Sequence, residues 1–186
     1  METNGMVVSL LAFMKKKFKI IIMLILISCV TFGAYQYFQR SSSFFLTETT
    51  NLSEENINGL QLYDDIGSKG FIEKYGTNIE RIDNALFDYY NLSSGLVIAT
   101  DKQKKIIRIT TGFNQTNTTL KTSKGINIES SVDDVIRAYG ENYYKRMDDS
   151  GVPVIGYVDH KRKTTLEFFN YQSKVTMIRY DISSMQ

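Results

Sequence analysis

From Ile20 to Phe38 the chain reads IIIMLILISCVTFGAYQYF, 19 residues without a charge. A helix rises about 1.5 Å per residue, so such a run matches the roughly 30 Å hydrocarbon core of a bilayer. Hydrocarbon offers backbone groups no partners, which makes a helix the expected conformation. Lys15, Lys16, Lys17 and Lys19 precede the run, whereas Arg40 alone follows it before Ser41, Ser42 and Ser43. Positive residues stay on the cytoplasmic side, so the expectation is a single-pass anchor with its N-terminus inside and the C-terminal part outside. Tyr35, Tyr37 and Phe38 would then lie at the outer headgroup layer.

Two other readings compete. A cleaved secretory signal is disfavoured by the length of the run and by Ala34-Tyr35-Gln36, a poor small-residue cleavage site. A lipoprotein signal is the stronger rival, because Leu26-Ile27-Ser28-Cys29 has the form of a lipobox, and Cys29 would carry the lipid. Met14 before the lysines is a second candidate translation start. Against lipidation, Val30–Tyr35 continues the apolar run instead of turning polar. The anchor reading is preferred, with Cys29 a small apolar residue in the helix.

Beyond Arg40 the chain holds 17 Lys and Arg against 19 Asp and Glu, because five of the 22 basic and one of the 20 acidic residues lie before that point. The basic excess therefore belongs to the flanks of the anchor. A net charge of −2 outside argues against nucleic acid and against tight adhesion to anionic lipid or wall polymer. Cys29 is the single cysteine, so stability outside must come from packing without disulfides. That, with a Lys/Asn/Ile-rich composition, points to the envelope of a low-GC Gram-positive bacterium. The N-x-S/T triplets at Asn51, Asn91, Asn114 and Asn117 read as polar loop chemistry.

The expected domain order is a basic tail 1–19, the transmembrane helix 20–38, a polar stalk 39–58, a module 59–112, a linker 113–124, a second module 125–182 and a tail 183–186. The modules are proposed from an internal repeat. Gly59-Leu60-Gln61-Leu62 leads to Phe71-Ile72-Glu73-Lys74-Tyr75-Gly76, and Gly125-Ile126-Asn127-Ile128 leads to Val135-Ile136-Arg137-Ala138-Tyr139-Gly140. The first copy is two residues longer between its glycines. In the second, Ser130 or Ser131 is placed to cap a helix, Asp133 and Asp134 suit its first turn, and Gly140 stops it. Strand patterns follow each helix: Ala85–Asn91, Leu96–Thr100 and Lys105–Thr111, then Val154–Asp159, Thr164–Tyr171 and Val175–Asp181. The fold class is α+β: one N-terminal transmembrane helix, then two tandem modules, each a helix followed by an antiparallel β-meander.

A capped acidic–apolar helix closed by Tyr-Gly, and a meander ending in Lys174-Val175-Thr176-Met177-Ile178, resembles the β-lactamase-inhibitor-protein-like superfamily. It is similar also to the SmpA/OmlA type of envelope lipoprotein. The resemblance covers about residues 59–182. It implies a small exported unit, often in tandem, that binds proteins through its sheet and loops. No contact residue is carried over from it.

Catalytic signals are weak. His160 lies in Asp159-His160-Lys161-Arg162-Lys163, a charged hairpin tip, and would have to serve any Ser-His arrangement alone. The pairs Asp64-Asp65, Asp133-Asp134 and Asp148-Asp149 lack the alternating spacing of a calcium loop. No catalytic, metal-ligating or cofactor-binding residue is expected, and no cofactor. Tyrosine supplies apolar area with a polar tip and is enriched at interfaces. Tyr89, Tyr90, Tyr143, Tyr144, Tyr157 and Tyr171 form the candidate protein-binding face, with alternation along strands sending about half of them inward. The functional expectation is a non-catalytic, membrane-anchored binding protein whose partner is another envelope or extracellular protein. The alternatives are a structural subunit of a secretion or conjugation machine and a cell-wall-acting enzyme.

Overall fold

The computed structural model describes residues 17–34, 44–92, 95–112 and 118–185. The chain divides into two compact units, Met1–Phe45 and Leu46–Gln186. In the first, helix α1 (Lys17–Ala34) is long and apolar enough to cross a membrane. Its side chains are exposed all round, Ile20 to Ile27 included. A helix apolar on every face belongs in lipid or in a protein core. Thr31 turns its hydroxyl back onto the Ile27 and Ser28 carbonyls at 2.9 and 3.0 Å, so this polar group is satisfied within the helix. The described part of the helix already includes Lys17, three residues before the expected Ile20. Tyr35, Tyr37 and Phe38 lie outside the described residues.

The second unit is α+β. Its elements are α2 (Lys69–Tyr75), β1 (Glu80–Asp83), β2 (Asp88–Leu92), β3 (Leu96–Thr100), β4 (Ile106–Thr111), α3 (Val132–Tyr139), β5 (Tyr144–Met147), β6 (Pro153–Asp159), β7 (Thr164–Tyr171) and β8 (Lys174–Ile182), with a final 3-10 turn Ser183–Met185. The strands form one antiparallel sheet in the order β1-β2-β3-β4-β8-β7-β6-β5. The two meanders meet through their last strands, β4 and β8.

Helices of seven and eight residues are too short to persist alone, so their ends are secured chemically. Ser131 caps α3 in a reciprocal box with Asp134, and Ser68 accepts from the Phe71 N–H on α2. Gly76 and Gly140 close the helices at φ of +82° and +93°, a region glycine enters without steric cost.

The approach to each helix is bonded to its own meander in the same way. Tyr63 and Glu129, at equivalent places after the two Gly turns, both have positive φ, 71° and 75°. Their N–H groups donate to the carbonyls of Ile106 and Val175, at 2.7 and 2.8 Å. Ile106 and Val175 donate back to Asp64 and Ser130, both at 2.9 Å. Ile66 and Val132 then donate to Lys104 and Ser173 in the closing hairpins. The two extra residues of the first copy fall in the turn Asp65–Ser68, where Asp65 accepts from Gly67.

One face of the sheet packs under the helices. Leu96, Ile98, Ile109, Ile155, Tyr157, Leu166, Phe168, Ile178 and Tyr180 form a continuous cluster with Phe71, Val135 and Tyr139. Tyr139, Tyr157 and Phe168 stack at centroid distances of 5.2 to 6.2 Å.

Several expectations change. Four strands follow each helix rather than three: β1 and β5 were missed, because ERID and YKRM carry too few apolar residues to alternate and are held by backbone pairing. The strand expected at Ala85–Asn91 begins only at Asp88. Residues 47–58, placed in the stalk, are part of the folded unit. Leu52 and Ile57 are buried, Thr50 donates to the Val158 carbonyl at 2.7 Å, and Thr49 bridges Val158 in parallel. The segment extends the sheet where β5 stops short of the end of β6. The described part of the expected linker is also packed: Leu120 and Thr122 are buried, and Ile57 bridges Thr122.

Candidate protein-binding surface

On the sheet face away from the helices, the β5–β8 half is covered by long side chains, most of them its own and one, Arg108, from β4. Glu167, in the middle of β7, is 1% exposed. It accepts from the Tyr144 hydroxyl at 2.6 Å, from Arg146 Nε and a second Arg146 nitrogen at 2.7 and 2.9 Å, and from Arg179. Asp181, fully buried, takes a two-pronged bond from Arg108 at 2.8 and 2.7 Å and lies 3.2 Å from Arg179. The ladder Arg108–Asp181–Arg179–Glu167–Arg146 thus alternates in sign across four strands. The Arg146 and Arg179 guanidiniums lie over the Phe169 ring, 5.7 and 5.0 Å from its centroid. Tyr144 lies across Gly156, where a Cβ would meet the ring at 2.1 Å.

Burial by itself would raise the Glu167 pKa, but the Arg146 bonds and the two arginine charges hold it below the usual carboxylate value. Asp181 goes the other way: burial raises it, and Arg108 and Arg179 offset only part.

Beneath the helices a third buried carboxylate, Glu55, accepts from the Ser123 and Asn56 N–H groups at 3.0 Å and from the Tyr139 hydroxyl at 2.8 Å. Burial and the Glu55 charge raise the Tyr139 pKa. Asp159 accepts from Leu52 and Arg162, and Asp88 pairs with Lys102. Each of the five buried carboxylates among the described residues is thus engaged in holding chain segments together.

The β1–β4 half ends differently. All four residues of β1 are exposed, and among the described residues no strand pairs with its outer side. Ile82 and Leu86 are 55% and 69% exposed. Behind this edge, Tyr89 stands beside Ile82 and Ala99 in register, half-buried, and Ala99 is paired in turn with Arg108. Arg81 is held by Asp83 and lies 3.9 Å from Asp88, and Glu80 accepts from Asn91. The edge therefore combines two apolar side chains, flanking charges and unpaired backbone groups.

The tyrosines expected on a binding face are scattered. Tyr144 and Tyr157 are buried and cannot contribute: the Tyr144 hydroxyl is bonded to Glu167, and the Tyr157 hydroxyl donates to the Gly140 carbonyl at 2.9 Å. Tyr143 is half-buried against Tyr157, and Tyr90 packs on the core under the helices. Tyr89 is half-buried on the open side, and Tyr171 is 65% exposed at the far end of β7. Sequence reasoning missed Ile82 and Leu86, whose exposure no local pattern announces. It also missed the charge ladder, whose sole sequence trace is Glu167 inside an otherwise apolar run. His160, expected as a solvated tip residue, is half-buried with its Nε2 2.8 Å from the Thr47 carbonyl. Cys29 is exposed on α1. No group of three or more His, Cys, Asp or Glu able to hold a metal occurs among the described residues.

No protein-family model, no curated protein and no solved structure matches this chain.

Proposed function

We propose that the protein is a non-catalytic, membrane-anchored binding protein of a bacterial envelope, N-terminus inside, which takes its protein partner as an added strand on β1. The observation that carries this reading is the solvent-exposed edge of β1 with its two apolar side chains. Among the described residues β1 has no strand on its outer side, Ile82 is exposed on it and Leu86 in the turn that follows; β5, the other edge strand, is likewise without an outer strand, Thr49 and Thr50 extending the ladder along β6 beyond it. Open edges of this kind accept extended segments: main-chain bonds supply affinity and alternate side chains supply selection.

The α1 helix supports anchoring by length and composition, and the lysines before it support the orientation. The matched hydrogen bonds of the two Gly turns support a tandem origin, two copies of helix plus meander joined through β4 and β8. The resemblance to β-lactamase-inhibitor-protein-like modules rests on the Tyr-Gly helix ends and on the closing strand Lys174-Val175-Thr176-Met177-Ile178.

The test is photocrosslinking in the full-length protein in its native membrane. A photoreactive residue at Ile82 or Leu86 is expected to trap one protein, and the same residue at Tyr171, on the opposite end of the sheet, to trap none. Equal trapping at all three positions, or adducts at Tyr171 alone, overturns the assignment of the site to β1.

A further inference from the structure

The four residues of β1, Glu80-Arg81-Ile82-Asp83, are all exposed, and their side chains divide between the two faces of the sheet. Glu80 and Ile82 lie on the face away from the helices, where Ile82 opens a row that continues through Tyr89, Ala99 and Arg108. Arg81 and Asp83 lie on the other face, opposite Tyr90 and Asp88. The row is closed at its inner end, because Arg108 is bonded to Asp181. At the edge it stops at Ile82, 55% exposed, with Tyr89 half-buried next to it.

An added strand must therefore offer an apolar residue to Ile82 and opposite charges to Arg81 and Asp83. A second copy of β1 offers both. In an antiparallel joint about a two-fold axis, residues directly opposite share a face of the sheet, so one residue at the centre must meet itself. With Glu80, Arg81 or Asp83 at the centre, a charge meets its own copy. With Ile82 there, Ile82 packs on Ile82, Arg81 of each copy faces Asp83 of the other, and Glu80 faces the uncharged Asn84. The segment is its own complement in that register and repels itself in the others. Arg81 and Asp83 now hold each other at the exposed surface, so sharing them across the joint breaks no buried contact. β5 lacks this freedom: Arg146 is bonded to Glu167, and Asp148 accepts from Ser150 and Val152 in its own turn.

From this pattern we infer that β1 pairs with β1 of a second copy, antiparallel and centred on Ile82, joining two eight-stranded sheets edge to edge. The inference rests on the reading of β1 as the edge that takes an added strand, and it names that strand. On one face the apolar row then runs Tyr89, Ile82, Ile82, Tyr89 through the joint. On the other, the Arg81 and Asp83 side chains of both copies alternate in sign around the axis. A ladder of four residues from each copy falls short of a standard interface of about 1,600 Å2, so the pairing is reversible.

Cys29 is the single cysteine, so in full-length Cys29→Ser protein one new cysteine reports position. Two differently tagged copies carrying Ile82→Cys, co-expressed and treated in the membrane with a short bis-maleimide, are expected to give a product of twice the chain mass that bears both tags. Tyr171→Cys should give none. Adding Arg81→Glu, or adding Asp83→Lys, should lower the crosslinked fraction about tenfold, because like charges then face each other on both sides of the axis. Co-expressing the Arg81→Glu chain with the Asp83→Lys chain should restore the product between them, which mere fraying of β1 in either variant would not do. Failure of that mixture to recover overturns the inference. So does an Ile82→Cys chain joined to a Met147→Cys chain, which would mean head-to-tail pairing of β1 on β5. The photoreactive residue at Ile82 separates the two readings: an adduct with a different protein alone ends the self-pairing and leaves β1 as the binding edge, and no adduct at all ends both.

Discussion

The β5–β8 half and the β1–β4 half of the sheet hang from their helices by matching hydrogen bonds, yet they finish their outer faces in opposite ways. In the first, Arg146, Arg179 and Tyr144 converge on Glu167 and cover Phe169 and Gly156. In the second, all four residues of β1 are exposed, and among the described residues no strand lies on its outer side. The comparison teaches that a charged residue in a strand has two fates. With opposite charges in register on neighbouring strands it becomes a cover for the sheet, and without them it marks a solvated edge. A buried pair is costly to break from one side, because the remaining charge stays desolvated. The covered half is therefore rigidly specified, whereas the proposed binding edge contributes little to holding the sheet together.

The strongest way to break this contrast is Glu167→Ala, which strands two guanidiniums and a phenol. Denaturation of the full-length protein in detergent should show a loss of about 3–5 kcal/mol. Asn91→Ala, an exposed position on β2, should change stability by no more than about 0.5 kcal/mol. Comparable losses at both positions would erase the distinction between the halves.

Next in size is Gly156→Ala. Its methyl must push Tyr144 off the strand and away from Glu167, at a cost of about 1–3 kcal/mol. Pairing it with Tyr144→Ala, which vacates the space, should cost less than the sum of the two single changes, and strict additivity would argue that the ring does not seal this face.

A pH series sharpens the point. The Glu167 pKa lies below its ordinary 4.5, so its contribution is fully present above that value and is lost as pH falls through the lower folded-state pKa. Asp181 lies above its ordinary 3.8, so acidification through its folded-state pKa acts in the stabilising direction down to that value. The stability gap between wild type and Glu167→Gln should be widest near neutrality and shrink below about pH 4. A gap that stays constant with pH would mean that the carboxylate charge is not what holds the arginines. The smallest expected effect on folding is at the open edge: Ile82→Lys should leave stability within about 0.5 kcal/mol while abolishing the β1 crosslink.

Much of this was legible in the chain. The 19-residue uncharged run, the two Gly-to-Tyr-Gly helices and β3, β6 and β7 are local matters: uninterrupted apolarity, a capping serine with following acids, and runs of β-branched and aromatic residues each act within a few residues of themselves. The candidate site was legible only in part. Tyr89 was named and lies beside the open edge, but Tyr144 and Tyr157 were assigned to the surface and are buried, since which half of a strand faces inward depends on its partner's register.

What the sequence determined by itself was the apolar helix, the α+β class and the glycine stops of α2 and α3, because these follow from short-range sterics and periodicity. Tertiary structure alone decided that the expected stalk would thread onto β6, that Glu55 would bridge three segments, that five charges on four strands would cover one face, and that β1 would stand at the edge of the sheet. Those outcomes depend on which residues, up to some 130 positions apart, come to lie within a hydrogen bond of each other, as Leu52 and Tyr180 do. No local pattern encodes that proximity; only the completed register of the sheet does.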